Sequence, residues 1–314
     1  MDNNFIIRAP TLADLDAAIA LMNACSRADI GEGHPSANML RRFWTDERFD
    51  LSTDAWLVTT HDGRIAGWGD VGLEPPPESC SISGHVHPDF RGQGIGTYLL
   101  SLAEQRARQA MPDAPIRLQC DWVPAQNRTA RDLLENNGYV AVRRWDRMQI
   151  DMDAPPPAPQ LPDGIAIRSF RPDEDDRALY EAFEEAMADE WEHTPLSYER
   201  WRHFKIDEEP NFDPTLWFLA VEGETIVGHA LTRWERNGLP HHGQVRDLGV
   251  RRPWRRRGIA LALLRTLFGE FYRRGKRAVS LGVDATSLTG ADRLYQRAGM
   301  RVALETIVYE KELK

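Results

Sequence analysis

The chain has 314 residues, 42% of them hydrophobic and 28% charged, and a formal net charge of −9 at pH 7, with an isoelectric point near 5.5. That balance is ordinary for a soluble globular protein of about two domains and argues against generic binding to nucleic acid or anionic membrane. No apolar run of about 18 residues offers a membrane span, the opening MDNNFIIRAPTLADLD lacks the regions of a secretory signal, and Cys25, Cys80 and Cys120 show neither CxxC spacing nor a histidine partner, so reduced thiols and a cytoplasmic location are expected.

The first half opens with a short strand and an acidic helix start, IIRAPTLADLD, then a strand, a turn at Asp62-Gly63 and a second strand, WLVTTHDGRIAGWG. A glycine loop follows, FRGQGIGTYLL (Phe90 to Leu100), in which Ile95, Leu99, Leu102 and Ala103 share a helix face. The half closes with NRTARDLLENNGY, where Gly138 suits the left-handed position after a helix. Next comes Pro155-Pro156-Pro157-Ala158-Pro159, flanked by Asp151, Asp153 and Asp163, which reads as a stiff solvated linker.

Beyond the prolines the same order returns: AIRSFRPDEDD, then WFLAVEGETIVGHA with its turn at Glu222-Gly223, then WRRRGIALALL, then SLTGADRLYQRAGM ending at Gly299. Ile259, Leu263, Leu267 and Phe271 line the second loop's helix. The offset is 161 residues for Trp56/Trp217, Gly67/Gly228 and Gly138/Gly299, and 164 for Gly94/Gly258. A repeat of this period means two domains, because solenoid repeats are far shorter. The expected fold class is mixed α/β, a mostly antiparallel sheet flanked by helices, in tandem domains over 1–152 and 164–314 with a linker over 153–163.

A glycine loop at a helix N-terminus presents unpaired N–H groups and the positive dipole end to an anion. Gly94 and Gly258 would admit a close ligand, and Arg91 and Arg255 could add charge-assisted contacts. Neither copy has the Gly-Lys-Ser/Thr of a nucleoside-triphosphate loop, and the GxGxxG of a dinucleotide fold is only weakly approached. Both copies fit Arg/Gln-x-x-Gly-x-Gly/Ala, as Arg91-Gly92-Gln93-Gly94-Ile95-Gly96 and Arg255-Arg256-Arg257-Gly258-Ile259-Ala260. Arg255-Arg256-Arg257 also reads as a solvated basic run, less so for Arg255 than for Arg256. His85 and His87 have no metal-ligand partners and read as strand-edge histidines.

On VHPDFRGQGIGTYLL, LGVRRPWRRRGIALALL, NRTARDLLENNGY and VDATSLTGADRLYQRAGM, both halves resemble the GNAT superfamily of N-acetyltransferases nearly end to end. The duplicated layout is similar to the mycothiol synthase group of tandem acetyltransferases, in which the C-terminal copy is active. The resemblance implies acetyl-CoA as acyl donor, no metal, and a pantetheine arm paired with the strand before each loop. It assigns cofactor contacts to Leu248, Gly249, Val250, Arg255, Arg256, Arg257, Gly258, Ile259, Ala260 and Ser287, and in the first copy to Val86, Arg91, Gly92, Gln93, Gly94, Ile95, Gly96 and Asn127.

Such enzymes often place a tyrosine general acid on the last helix and an acidic base on the strand before the loop. Tyr295 and Asp247 hold those positions; Glu235, His229 and His241 are alternative bases. Tyr295 also reads as a packed aromatic, and Asp247 as a partner of Arg246 or Arg251 or of a water. The first copy has Leu134 and Ser83 at the matching positions, so the C-terminal domain is expected to catalyse and the N-terminal one to bind CoA without turnover.

The acceptor implied is a primary amine of a small molecule. Glu181 to Phe204 mixes Glu184, Glu185, Asp189, Glu190 and Glu192 with Trp191, Tyr198 and Trp201; with Trp217 and Trp234 this suits a cationic amine, and it also suits a solvated helix face. A protein acetyltransferase and a non-catalytic acyl-CoA sensor are the alternative functions. Nucleic-acid and membrane partners are not expected, and the chain is read as a monomer or homodimer.

Overall fold

The computed structural model describes residues 4–33, 37–46, 48–74, 79–112, 115–190, 193–209, 212–236, 241–286 and 290–313. The first half runs β1 (Phe5–Arg8), α1 (Leu15–Ile30), α2 (Ala37–Trp44), β2 (Ala55–Thr60), β3 (Ile65–Glu74), β4 (Ser79–Val86), α3 (Ile95–Ala110), β5 (Ile116–Pro124), α4 (Arg128–Asn136) and β6 (Val140–Asp151). The second half runs β7 (Ile165–Ser169), α5 (Asp176–Met187), α6 (Tyr198–Arg202), β8 (Phe218–Glu222), β9 (Thr225–Arg233), β10 (His242–Val250), α7 (Ile259–Arg273), β11 (Ala278–Asp284), α8 (Ala291–Arg297) and β12 (Arg301–Leu313). The expected hairpin turns are present, with Gly63 and Gly223 at φ 86° and 58°. None of the described helices is long and apolar enough to cross a membrane.

The chain folds into two compact units that do not coincide with its halves. Unit 1 is Met1–Trp145 with Leu304–Lys314, and unit 2 is Asp146–Ala303. In unit 1 the strand order is β1-β2-β3-β4-β5, then the 304–313 stretch of β12; in unit 2 the 146–151 stretch of β6 is followed by β11-β10-β9-β8-β7. Each sheet is mixed and mostly antiparallel, with parallel pairing of β4 to β5 and of β10 to β11.

The boundaries expected at 152 and 164 are therefore corrected: each half gives its last strand to the other half's unit. Side-chain burial shows the cause. Tyr309 and Leu313 are buried among Leu118, Leu134 and Tyr139 of unit 1. There the Tyr309 hydroxyl donates to Glu135 at 2.7 Å and accepts from Arg131 at 3.3 Å. Met148, Ile150 and Met152 are buried instead among Phe271, Val279, Leu281 and Met300 of unit 2. At the 161-residue offset Met148 corresponds to Tyr309 and Met152 to Leu313, so equivalent side chains have traded places. The proline stretch lies within unit 2, has no regular secondary structure and is mostly exposed, as a solvated connector should be.

In unit 1, α3 covers one sheet face, and α1 with α2 covers the other against Ala55, Leu57 and Trp68. Unit 2 repeats this, with α7 on one face and α5 with α6 on the other against Leu219 and Leu231. Burying a large apolar side chain contributes roughly 1.5–3 kcal/mol, so the loss of β12's contribution would be felt across unit 1. Ending the chain after Ala303 is expected to unfold unit 1, whose other residues lie at the opposite end of the sequence. Limited proteolysis should then cut within 4–145 while sparing 146–303. Protection of both regions would contradict this assignment of strands.

Candidate active site

Both glycine loops follow a strand that is paired on one side only along its second part. β4 pairs with β5 at Ser79–Ser81, and β10 pairs with β11 at His242–Gln244. Beyond those residues the antiparallel partners β3 and β9 remain paired as far as Val86 and Val250. A fork therefore opens beside Ser83–Val86 and beside Val245–Val250, among the described residues. An unpaired strand edge of this kind accepts an extended chain as an added strand.

At the end of each fork the backbone turns through the left-handed region twice. In unit 1 the residues are Gly92 and Gly94, at φ 77° and 81°; in unit 2 they are Arg256 and Gly258, at φ 63° and 89°. α3 and α7 start at the next residue. A Cβ on Gly258 would meet no atom within 4 Å, so positive φ, and not crowding by the chain, selects glycine there. Arginine in the same conformation costs about 1–2 kcal/mol.

The three arginines of the second loop differ in their surroundings. Arg255 donates to the Val250 carbonyl at 3.0 Å, to Asp189 at 2.7 Å and to the Ala186 carbonyl at 3.2 Å. Arg257 pairs with Glu222 at 3.1 Å and reaches the Asp163 carbonyl. Arg256 is exposed and makes no hydrogen bond or ion pair with the described residues, so it, and not Arg255, is the guanidinium available to an anion. Unit 1 repeats the tether: Arg91 binds Asp29 through two nitrogens, at 2.7 and 3.0 Å, and Asn127 donates to the same carboxylate at 2.8 Å while capping α4. Arg91 and Asn127 are thus brought together, with their side-chain donors turned to Asp29.

The remaining expected cofactor residues frame these loops. Leu248 and Val250 pack toward α7, Ile95 and Ile259 are buried under their helices, Val86 is half-buried and Ala260 is half-buried. Gly96 lies against α4, where a Cβ would come within 2.9 Å of Leu133. Gln93 reaches the Asp89 carbonyl at 3.5 Å. Ser287, like Trp191 and Glu192, lies outside the described residues.

Tyr295 is 8% exposed on α8, among the apolar residues of unit 2. Burial, and then the charge of Glu190, push its hydroxyl well above the ordinary tyrosine range, so it stays protonated at neutral pH. Glu190 itself is raised by desolvation and by the charges of Asp284 and Asp189. Asp247 sits beside a bulge that β10 carries and β4 lacks: the register slips between Val245 and Asp247. The bulge turns two charged side chains to one face. Arg246 binds Glu209, and Lys205, from a π-helical turn at His203–Asp207, binds both Asp247 oxygens at 2.9 and 2.8 Å.

Of the alternative bases, Glu235 and His241 lie at the end of β9 and β10 away from the loop. His229 is fully buried against Phe183 and above Gly249, where a Cβ would meet its ring at 2.5 Å. Burial lowers its pKa to about 4, so the imidazole is neutral. The acid-lined aromatic pocket is corrected too. Glu184 binds His193, Glu185 binds Arg251, and Asp189 binds Arg252 and Arg255. Trp201 and Trp217 are fully buried, and Trp234 stacks on Phe271.

Unit 1 is not without a carboxyl at the fork, contrary to the sequence expectation. Ser83 matches Asp247, and across the ladder from Ser83 stands Asp70, whose counterpart opposite Asp247 is Leu231. The acid has changed strands. Only the sequence of β3, read for a charge amid GWGDVG, hinted at it. Asp70 is 2% exposed, and burial lifts its pKa to about 8 despite a hydrogen bond with Ser83. Among the described residues no group of His, Cys, Asp or Glu side chains is arranged to hold a metal.

Two predictions follow from this geometry. Arg256→Gly relieves the left-handed arginine and should raise unit 2's stability by about 1 kcal/mol in denaturant unfolding; a loss of stability would mean that the side chain is a structural tie. For Asp70 the folded pKa of about 8 exceeds the unfolded value near 3.9. Its neutral form therefore favours folding, fully below pH 4 and progressively less as pH rises through 8. Asp70→Asn should melt close to the parent at pH 5 and several degrees above it at pH 9. Parallel melting curves across that range would exclude a buried neutral acid.

The sequence model of the Acetyltransferase (GNAT) family matches residues 19–139 and 177–300, one match in each half. The mycothiol acetyltransferase of Salinispora arenicola is 33% identical over 252 residues, covering 77% of this chain and 76% of that protein. The mycothiol acetyltransferase of Thermobispora bispora is 28% identical over 305 residues, covering 96% and 97%. Among solved structures, a GCN5-related N-acetyltransferase from Sphaerobacter thermophilus superposes with a TM-score of 0.84 at 43% identity, covering 99% of this chain and 96% of that one. A tandem GNAT protein from the clavulanic acid biosynthesis pathway shares the fold, with a TM-score of 0.72 at 18% identity over 98% of both chains. With both halves matched, the chain is an acetyltransferase and belongs to the GNAT family.

Proposed function

We propose that the chain transfers an acetyl group directly from acetyl-CoA to a primary amine of a small molecule, and that unit 2 is the catalytic unit. The observation that carries this reading is Tyr295, a buried, protonated hydroxyl where unit 1 has Leu134. Relatives named mycothiol acetyltransferase favour a small acceptor over a protein.

The residues present fit acetyl-CoA. The N–H groups at the start of α7, the open space beside Gly258 and the exposed Arg256 would hold its pyrophosphate, and the free edge at Val245–Val250 would pair with its pantetheine arm. When bound, acetyl-CoA supplies the acyl group as a thioester. The amine nitrogen forms the new N–C bond as the C–S bond breaks. One proton passes from nitrogen to a carboxylate of this chain, and Tyr295 gives one to the departing sulfur.

Two carboxylates of unit 2 are the candidates for that proton in this reading. Asp247 has both oxygens on Lys205. Glu190, whose carboxylate makes no hydrogen bond or ion pair with the described residues, acts electrostatically on Tyr295, and desolvation raises its proton affinity above that of an ordinary glutamate. Unit 1 keeps the cradle in this reading and does not turn over.

Tyr295→Phe should lower kcat by about 100-fold or more while leaving acetyl-CoA affinity near the parent value, a loss in the usual range for a removed general acid. Steady-state kinetics with thiol detection and a direct acetyl-CoA titration would measure both. Unchanged kcat would remove Tyr295 from the mechanism.

A further inference from the structure

Lysine and arginine together number 39 in this chain, but the only lysines are Lys205, Lys276, Lys311 and Lys314. One of the four places its amine in the candidate active site. Lys205 Nζ stands 2.9 and 2.8 Å from the two oxygens of Asp247, and 4.8 Å from the centre of the Phe183 ring. Both side chains of the pair keep 15% exposure, so the contact is sheltered without being sealed. Asp247 is itself a residue of the Val245–Val250 edge, which lies beyond the stretch that pairs with β11. The lysine amine is therefore one hydrogen bond away from the edge along which an acyl-bearing arm would lie.

The choice of lysine at this point carries information. Elsewhere the tethers of both units are arginines, as in Arg91 with Asp29, Arg168 with Asp175 and Arg255 with Asp189. A guanidinium fork matches two carboxylate oxygens better than an ammonium does, but only the amine can be acylated. Lys205 also belongs to the π-helical turn His203–Asp207, a local irregularity of the kind that recurs at functional sites. The neighbouring groups do not compete for Asp247: Arg246 is bound to Glu209, and buried His229 is neutral. The first repeat offers no counterpart, since residues 1–204 contain no lysine and Ser83 stands in place of Asp247.

We propose that Lys205 is a self-acetylation site: with acetyl-CoA bound and no outside amine present, unit 2 transfers the acetyl group to the Lys205 amine. This rests on the reading of unit 2 as the catalytic unit. The ammonium first yields a proton to Asp247. The freed nitrogen then bonds to the thioester carbonyl carbon as the C–S bond breaks. Two protons leave the nitrogen in all: one passes through Asp247 to solvent, and the other replaces the proton that Tyr295 gives to the sulfur. The products are Nε-acetyl-Lys205, the CoA thiol and one proton. The acetylated side chain no longer carries the charge that holds Asp247. The other described lysines lie elsewhere, Lys276 buried against Trp234 and Lys311 paired with Glu104.

The test is incubation of the full chain with acetyl-CoA alone, following thiol release and intact mass, with peptide mass spectrometry to locate the label. A burst of about one thiol per chain is expected, with one acetyl group gained and Lys205 labelled about tenfold or more above Lys276, Lys311 and Lys314. Lys205→Arg keeps a cation on Asp247 and should abolish both burst and label. Tyr295→Phe should slow the labelling about tenfold or more. Melting curves check that both variants fold, and the chain unfolded in urea should label its lysines without preference. Label spread evenly over the lysines of the folded chain, or label at Lys205 indifferent to Tyr295→Phe, would mean uncatalysed acylation and overturn the proposal. A parallel assay with a panel of small primary amines separates it from the reading it rests on. Turnover of an amine with Lys205 unlabelled would overturn self-acetylation and leave the transfer chemistry of unit 2 standing. Catalysed label at Lys205 with no amine turned over would support self-acetylation and count against a small-molecule acceptor.

Discussion

An aspartate at the end of the first helix of each half, Asp29 or Asp189, grips the arginine that begins the glycine loop. The same arginine reaches back to the last carbonyl of the preceding strand, Val86 or Val250. One guanidinium thus fixes helix, strand end and loop together. These charge-assisted bonds hold the two left-handed residues in place and keep the N–H groups of the following helix pointed outward. The fork beside the strand has a use only while that turn is held.

On this shared frame the two copies have diverged through a few substitutions. The left-handed glycine at position 92 is an arginine at 256, which exchanges backbone ease for a free positive charge. A bulge at Arg246 turns Asp247 toward Lys205, whereas the unbroken ladder of unit 1 keeps its acid on the neighbouring strand as Asp70. Tyr295 is buried in the apolar cluster of unit 2, and Leu134 is buried at the equivalent position of unit 1. The two units therefore share the loop and differ in the ionisable groups beside it.

Much of this was legible in the sequence, for reasons that are local. Gly94 and Gly258 announce the helix starts because their φ values suit glycine, and the spacing of Ile259, Leu263, Leu267 and Phe271 reports one buried stripe. What was not legible depends on pairing at long range. Nothing in Arg255 says that its charge is spent on Asp189, 66 residues away. Asp70 reads as an ordinary polar residue of a strand until Ser83 is placed opposite and the face is covered. The aromatic and acidic residues of α5 and α6 looked like a pocket, yet helical packing sends Trp201 inward and pairs Glu184 and Glu185 with His193 and Arg251. The traded strands are hidden for another reason: β6 and β12 are copies of one pattern, so each suits either sheet.

That trade bears on how the protein is made. A growing chain that has emerged as far as residue 152 contains nearly all of one repeat, yet it lacks Tyr309 and Leu313, which close the hydrophobic cluster of unit 1. Unit 2, assembled from 146–303, has its full set of strands first. Vectorial synthesis usually lets the N-terminal domain fold first. In this chain the strand that completes unit 1 is made after every strand of unit 2, so the edge of β5 lacks its partner until β12 has been synthesised.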